Sequence, residues 1–274
     1  MLVTPLGSGS AGNCYFFESD ATAILVDAGF GPRETEKRLR AIGRTLTDIK
    51  AIVLTHEHYD HSRGASTLAL KTGAPIYLTE GTMRAANIDP REVATVVFQN
   101  NGTFRIGDLL IHARRTLHDA SDPACFVIEG VDGTRVGLAS DLGCVDIPVL
   151  GHLSNCDGLF FESNHDLDML RSGSYPWSLK RRIMSRFGHL SNDDSFVALS
   201  KMLGSDTRAV CLIHLSEKNN HESIVRAMAE TMIDASGAQL ELAIAKQREV
   251  LPMMEITRKR APRVGQQYGQ MALF

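Results

Sequence analysis

Residues 55–61 read THEHYDH, that is Thr55-His56-Glu57-His58-Tyr59-Asp60-His61. Three imidazoles and the Asp60 carboxylate fall within six positions. Charged together, the rings would repel one another; buried without partners, they would be costly. Metal coordination removes both difficulties, and imidazole with carboxylate suits zinc, manganese or iron. The preceding IKAIVLT reads as a buried strand and the following SRGASTLALKTG as a helix. The motif therefore sits on a strand-end loop, where functional groups are commonly built. An extended loop puts His56 and His58 on one side, with Asp60 following the same alternation, and turns His61 away. That arrangement favours two adjacent metals over one. The bland alternative is a polar surface loop.

Such a motif needs further donors. His118 in TLHDASDP, Asp141 in ASDLG and His214 in VCLIHLS each follow a predicted strand. A carboxylate such as Asp141 can bridge two cations, and strand ends hold ligands rigidly. In the N-terminal half, CYFFES and TAILVDAG read as paired strands, followed by a helix from Pro32 to Gly43,. ACFVIEGVDGTRVGLAS reads as a hairpin turning at Asp132-Gly133,. From DGLFFESNHD onward, strands alternate with the longer helices PWSLKRRIMSRF, NDDSFVALSKML and SIVRAMAETMID. Strands followed by helices, twice over, predict two sheets packed face to face with helices outside. One α/β catalytic domain is expected over 1–256. Residues 257–274 begin TRKRAPRVGQQYG and are expected to form a flexible basic tail,.

This ligand pattern resembles the metallo-β-lactamase-fold superfamily of hydrolases over nearly the whole chain. The resemblance implies an αββα sandwich with the metals at one edge. It implies that His56, His58 and His118 hold one divalent metal and Asp60, His61 and His214 the other, with Asp141 bridging. Asp27 in LVDAG matches the superfamily's aspartate that supports the ligand loop without touching metal. Zinc and manganese both fit such donors.

The pentapeptide GHLSN occurs at Gly151–Asn155 and again at Gly188–Asn192. The first copy reads as an ordinary helix end or loop. The second follows a run containing Lys180, Arg181, Arg182 and Arg186 and precedes a helix capped by Ser191 or Asn192,. A His beside free backbone N–H groups at a helix start is a plausible phosphate grip. Similar loops in phosphodiesterases of the superfamily carry a non-metal His that contacts the scissile phosphate or assists the leaving oxygen. His189, with Asp60, is therefore the expected catalytic residue, and His152 is the decoy. The four cations are candidate contacts to a nucleic-acid backbone, against a reading as a charged, solvated helix face.

In order, SGSAGN, THEHYDH, HDASDP, SDLG, ESNHD, YPWSLKRRI, GHLSN and HLSEKNN look like the YycJ/WalJ group of bacterial metallo-β-lactamase-fold proteins. That resemblance implies exonuclease action on duplex DNA from 5′ ends, in mismatch repair. It marks His165 as a group position, on the phosphate side or behind the ligands. An RNA-processing nuclease and a small cyclic phosphodiesterase are the enzymatic alternatives, and a non-catalytic clamp- or DNA-associated protein is the alternative from another class. A β-lactamase would need an export signal and often uses Cys where Asp141 stands. A glyoxalase-type hydrolase would have no use for the second GHLSN.

The totals agree with an intracellular enzyme. At 43% hydrophobic residues the 274-residue chain can bury a substantial core, and no apolar run approaches a membrane span. The opening MLVTPLGSGSAGN has no secretory pattern. Five cysteines without a C-x-x-C pair suit a reducing cytoplasm,. A net charge of −3 does not announce a polyanion partner, but bound cations can reverse the sign locally. The terminal QMALF resembles the peptide by which bacterial repair proteins dock on the replication sliding clamp. On that resemblance Gln270 bonds at the groove edge, and Met271, Leu273 and Phe274 fill its apolar pockets.

Overall fold

Two seven-stranded sheets carry the chain, and the computed structural model describes residues 1–237 and 239–258. The expected clamp peptide, Gln270–Phe274, lies outside the described residues. The first sheet takes β1 (Leu2–Gly7), β2 (Cys14–Glu18), β3 (Ala23–Val26), β4 (Ile49–Val53), β5 (Ile76–Leu78) and β6 (Thr95–Val97). The second takes β7 (Thr103–Ile106), β8 (Leu109–Arg115), β9 (Ala124–Glu129), β10 (Arg135–Ala139), β11 (Gly158–Glu162), β12 (Ala209–Ile213) and β13 (Glu241–Ile244). Each sheet keeps its strands in chain order, and a last strand, β14 (Met254–Glu255), returns to pair with β1.

Alternation along the strands decides the layering. In β2, Tyr15 and Phe17 point into the core between the sheets, while Cys14 and Phe16 face a second core beneath helices, as a period of two requires. In β11, Phe160 joins the central core and Leu159 and Phe161 face a third. Helices α1 (Pro32–Ala41) and α3 (Ala65–Thr72) cover the first sheet through Leu39 and Leu68. Helices α5 (Ile147–Leu153), α8 (Asn192–Met202) and α9 (Glu222–Ser236) cover the second through Leu153, Leu199 and Val225. The result is the expected αββα sandwich.

Local signals act where the residues predict. Gly43 ends α1 with φ 71°, and Gly133 turns the β9–β10 hairpin with φ 78°. Two expectations need correction. The helix read over PWSLKRRIMSRF is only α7 (Trp177–Ile183), so Arg186 lies beyond it. The ligand loop is not extended throughout: it winds into the one-turn helix α2 (Tyr59–Ser62), which ends the alternation after His58. Strands β3, β4 and β5 run parallel, as do β10, β11 and β12. Their carboxyl ends meet along one edge of the sandwich, where the ligand candidates gather. Among the described residues no helix is long and apolar enough to cross a membrane.

Candidate metal centre

Asp27, just after β3, is fully buried and accepts hydrogen bonds from the Thr55 backbone N–H (2.9 Å), the Thr55 hydroxyl (2.9 Å) and His61 Nδ1 (2.7 Å). It holds the start and the end of the THEHYDH loop together without facing the other ligands. Asp27, Asp141 and His214 have φ of 62°, 56° and 56°. A left-handed conformation at a residue that is not glycine costs on the order of 1–3 kcal/mol and recurs where function demands a fixed side chain.

Each of five histidines has one ring nitrogen occupied by a protein acceptor. His56 Nδ1 donates to Thr55 Oγ1 (2.9 Å), His58 Nε2 to the Asp119 carbonyl (3.2 Å) and His61 Nδ1 to Asp27. His118 Nδ1 donates to the Gly188 carbonyl (3.0 Å) and His214 Nδ1 to Glu162 Oε1 (3.1 Å). These partners set the tautomers, so the opposite nitrogens present lone pairs to a common space. His58 Nδ1 and His118 Nε2 lie 3.2 Å apart. Among the described residues His56 Nε2 is buried with no hydrogen-bond partner, and His214 Nε2 has only the Asp60 carboxylate at 3.7 Å. A buried, unpaired polar atom needs an explanation, and a cation between the rings supplies one. Donor atoms of His56, His58 and His118 fall within 4.8 Å of one another, and so do those of Asp60, His61 and His214. Asp141 adjoins both groups, with Oδ2 2.9 Å from His61 Nε2 and Oδ1 3.8 Å from His118 Nε2. The residues present therefore fit divalent metal ions.

Electrostatics divide the cluster in two. Burial, reinforced by neighbouring rings, pushes His56 and His118 below the ordinary imidazole value, which keeps them in the neutral, ligating form,. On the other side burial opposes charge on His61 and His214, but Asp141, Asp27, Asp60 and Glu162 outweigh it and push both rings up, His214 to about 10. Asp141 is driven well below the usual carboxylate range by His214 and His61 despite its burial. Converging carboxylates leave negative charge that a bound cation offsets directly.

Sequence reasoning missed Glu162. This fully buried carboxylate ends β11, and its Oε1 accepts from His189 Nδ1 at 2.8 Å as well as from His214 Nδ1. Oε2 accepts from the Leu142 backbone N–H at 2.6 Å. Burial works against its charge, but His189 and His214 hold its pKa down at about 2. A Glu at the carboxyl end of the apolar strand GLFFE, flanked by β10 and β12 with ligands at the same end, was the available signal. Ser8 and Asn13 were missed as well. The Ser8 hydroxyl accepts from the His214 backbone N–H at 2.8 Å, and Asn13 Nδ2 lies 2.9 Å from His61 Nε2.

His189 stands at the cluster, with Nδ1 3.4 Å from Asp141 Oδ1. Its Nε2 has no protein partner among the described residues. Burial disfavours the charged ring, but the Glu162 carboxylate raises its pKa above the ordinary value. His165 is 1% exposed, and neither ring nitrogen has a protein partner. Burial lowers its pKa to about 4, and it belongs to none of the ligand groups. Among the basic candidates Lys180 is a correction. It is buried, and its ammonium donates to the carbonyls of Arg171 (2.7 Å) and Gly173 (2.6 Å), which leaves it unavailable to a phosphate. Arg182 pairs with Asp119 at 2.6 Å, while Arg181 and Arg186 are exposed.

A two-sheet sandwich with a histidine–aspartate cluster on the edge where parallel strands end defines a metal-dependent hydrolase. Residues 7–214 match the family model described as the metallo-beta-lactamase superfamily, and the chain belongs to that superfamily. It is 33% identical over 235 residues to exodeoxyribonuclease YycJ of Bacillus anthracis, covering 85% of this chain and 89% of that protein. It is 37% identical over 237 residues to exodeoxyribonuclease WalJ of Streptococcus pneumoniae, covering 82% of this chain and 87% of that protein. The metallo-beta-lactamase fold protein YhfI of Bacillus subtilis superimposes with a TM-score of 0.69 at 20% identity, covering 91% of this chain and 98% of that one. The resemblance read from the ordered sequence blocks is borne out.

Proposed function

We propose that the protein is a two-metal phosphodiesterase that shortens duplex DNA from its 5′ ends in DNA repair. The observation that carries this reading is His189, its ring oriented by Glu162 at 2.8 Å and set beside Asp141, with which, together with His214, the two also form one group of donor atoms. The exodeoxyribonuclease names of the two relatives support DNA as the substrate. His56, His58 and His118 would hold one zinc or manganese ion and Asp60, His61 and His214 a second, with Asp141 adjoining both groups. When bound, such ions offset the phosphate's negative charge and lower the pKa of an attacking water.

The chain does the rest. Asp27, Thr55 and Asp119 keep the imidazoles in one tautomer and orientation. Asp60, less buried than its neighbours, orients the water opposite the leaving group. Glu162 fixes His189 so that Nε2 delivers a proton to the departing oxygen. His165 keeps the ground behind this pair. Arg181, Arg182 and Arg186 contact backbone phosphates without reading bases. Gln270, Met271, Leu273 and Phe274 recruit the enzyme to the sliding clamp, which raises its local concentration at DNA.

Purified protein with Mn²⁺ or Zn²⁺ should shorten end-labelled duplex DNA from the 5′ end, and Asp60→Ala should not. Consumption of a structured RNA or a small cyclic phosphodiester instead would keep the metal centre and overturn the DNA reading. Deleting Gln270–Phe274 should abolish clamp binding and leave turnover on free DNA intact; unchanged clamp affinity would remove that part of the proposal.

A further inference from the structure

A cavity of about 180 Å³ opens beside His189, and nothing above uses it. Part of its lining is apolar: Tyr175, just before α7, with Leu179 and Ile183 on the helix itself. The rest is polar and includes Ser10 from the β1–β2 loop, Asn164, and Ser216 after β12. The Lys218 ammonium lies 5.4 Å from the centroid of the Tyr175 ring and is not part of the lining. An aromatic ring and aliphatic side chains together with hydroxyl and amide groups suit a nucleoside, whose base has two apolar faces and whose sugar is polar. The volume is on the scale of one such unit.

Position identifies which nucleoside. The proposed proton donor lines the same cavity, so the space belongs to the leaving group. Cutting from a 5′ end, water oxygen bonds to phosphorus and the P–O3′ bond breaks. His189 supplies the proton that O3′ needs, and the proton lost from water passes to solvent. The released nucleotide carries a 3′-hydroxyl, and the shortened strand keeps the phosphate. Resting on the DNA reading above, we propose that this cavity binds the 5′-terminal nucleoside, with Tyr175 as the platform for its base. The pocket then restricts cutting to strand ends, because an internal nucleotide, stacked and continuous on its 5′ side, cannot enter. Arg182, held by Asp119 at the cavity wall, stands where the backbone passes from the pocket toward the metals.

The test compares duplexes whose 5′-terminal nucleotide has a base or is abasic, cut by wild type, Tyr175→Ala and Tyr175→Phe. Removing one aromatic platform from a stacked base should lower kcat/KM on the ordinary end by roughly tenfold or more. Tyr175→Phe should retain the wild-type rate. The abasic end should be cut more slowly by wild type and be insensitive to Tyr175→Ala. Equal wild-type rates on both ends, or an equal loss on both in Tyr175→Ala, would overturn the pocket while leaving the nuclease reading in place. No cutting of either duplex by wild type, with RNA consumed, would overturn the DNA reading and this proposal with it. If Tyr175→Ala does not fold, Leu179→Trp fills the same space and should lose the preference for the ordinary end.

Discussion

Two copies of GHLSN, identical in all five residues, have entirely different surroundings. His152, in α5, donates from Nε2 to the His112 carbonyl at 3.1 Å, remote from the ligand groups. His189 donates to Glu162 and adjoins Asp141. A Cβ on Gly151 would meet open space, whereas one on Gly188 would strike the carbonyl oxygens of Ile183 and Arg182. Ser154 closes a helix by donating to the Leu150 carbonyl, while Ser191 opens one by accepting from the Asp194 N–H. Asn155 leaves a helix with φ 59°, and Asn192 begins α8 with its side chain bonded to Ser163 and Asn220. A motif's meaning here resides in what precedes and follows it.

The largest contrast should appear in turnover. With metal loaded, His189→Ala should lose on the order of 10²–10⁴-fold in kcat, the scale of a positioned proton donor, while His152→Ala should turn over DNA at the wild-type rate. Glu162→Gln, which keeps shape and removes charge, should follow His189→Ala in the same rate assay.

Stability separates the two glycines next. Gly188→Ala forces backbone to move and should cost about 1–3 kcal/mol in chemical denaturation, as overpacking does. Gly151→Ala lies inside a helix with room for the methyl and should be neutral or stabilising by up to about 1 kcal/mol. The serines should differ by less. Ser191→Ala removes an N-cap, worth about 1 kcal/mol, while Ser154→Ala should stay within about 0.5 kcal/mol of wild type.

The smallest effect concerns pH. Burial and the Arg114 charge depress His152 to about 4, below the ordinary imidazole value near 6.5,. The unfolded chain takes up a proton at this residue before the folded one does. Stability contributed by neutral His152 is therefore present above about pH 6.5 and lost as pH falls toward 4. His152→Gln should show a shallower decline in Tm across that window; an unchanged slope would mean that the ring is not neutral in the fold.

Much of the candidate centre was legible because its clustered donor residues occupy strand ends, and strand ends can be read from short apolar runs. His118, Asp141 and His214 follow β8, β10 and β12 as their contexts imply. The second GHLSN stood out from the first through its basic flank, although that flank misled in part. Lys180 is one helical step from Arg181, and that step turns it inward to cap the carbonyls of Arg171 and Gly173. Glu162 stayed hidden because a charged residue ending a strand ordinarily faces water. Its burial depends on His189 and Ser195, which lie far along the chain: the Ser195 hydroxyl donates to its carbonyl at 2.6 Å. The turn at Tyr59 was hidden for a similar reason, since four residues are too few for periodicity to separate helix from extended loop. Strand β14, only two residues long, leaves no pattern to find.

The backbone N–H of Arg258, the last described residue, donates to Thr134 Oγ1 at 3.2 Å, at the turn that leads into β10. Asp141 lies past the opposite end of that strand, roughly 20 Å away at the rise of an extended chain. Strand β10 therefore acts as a strut, tied down at Thr134 by Arg258 and presenting Asp141 to the ligand candidates past its other end.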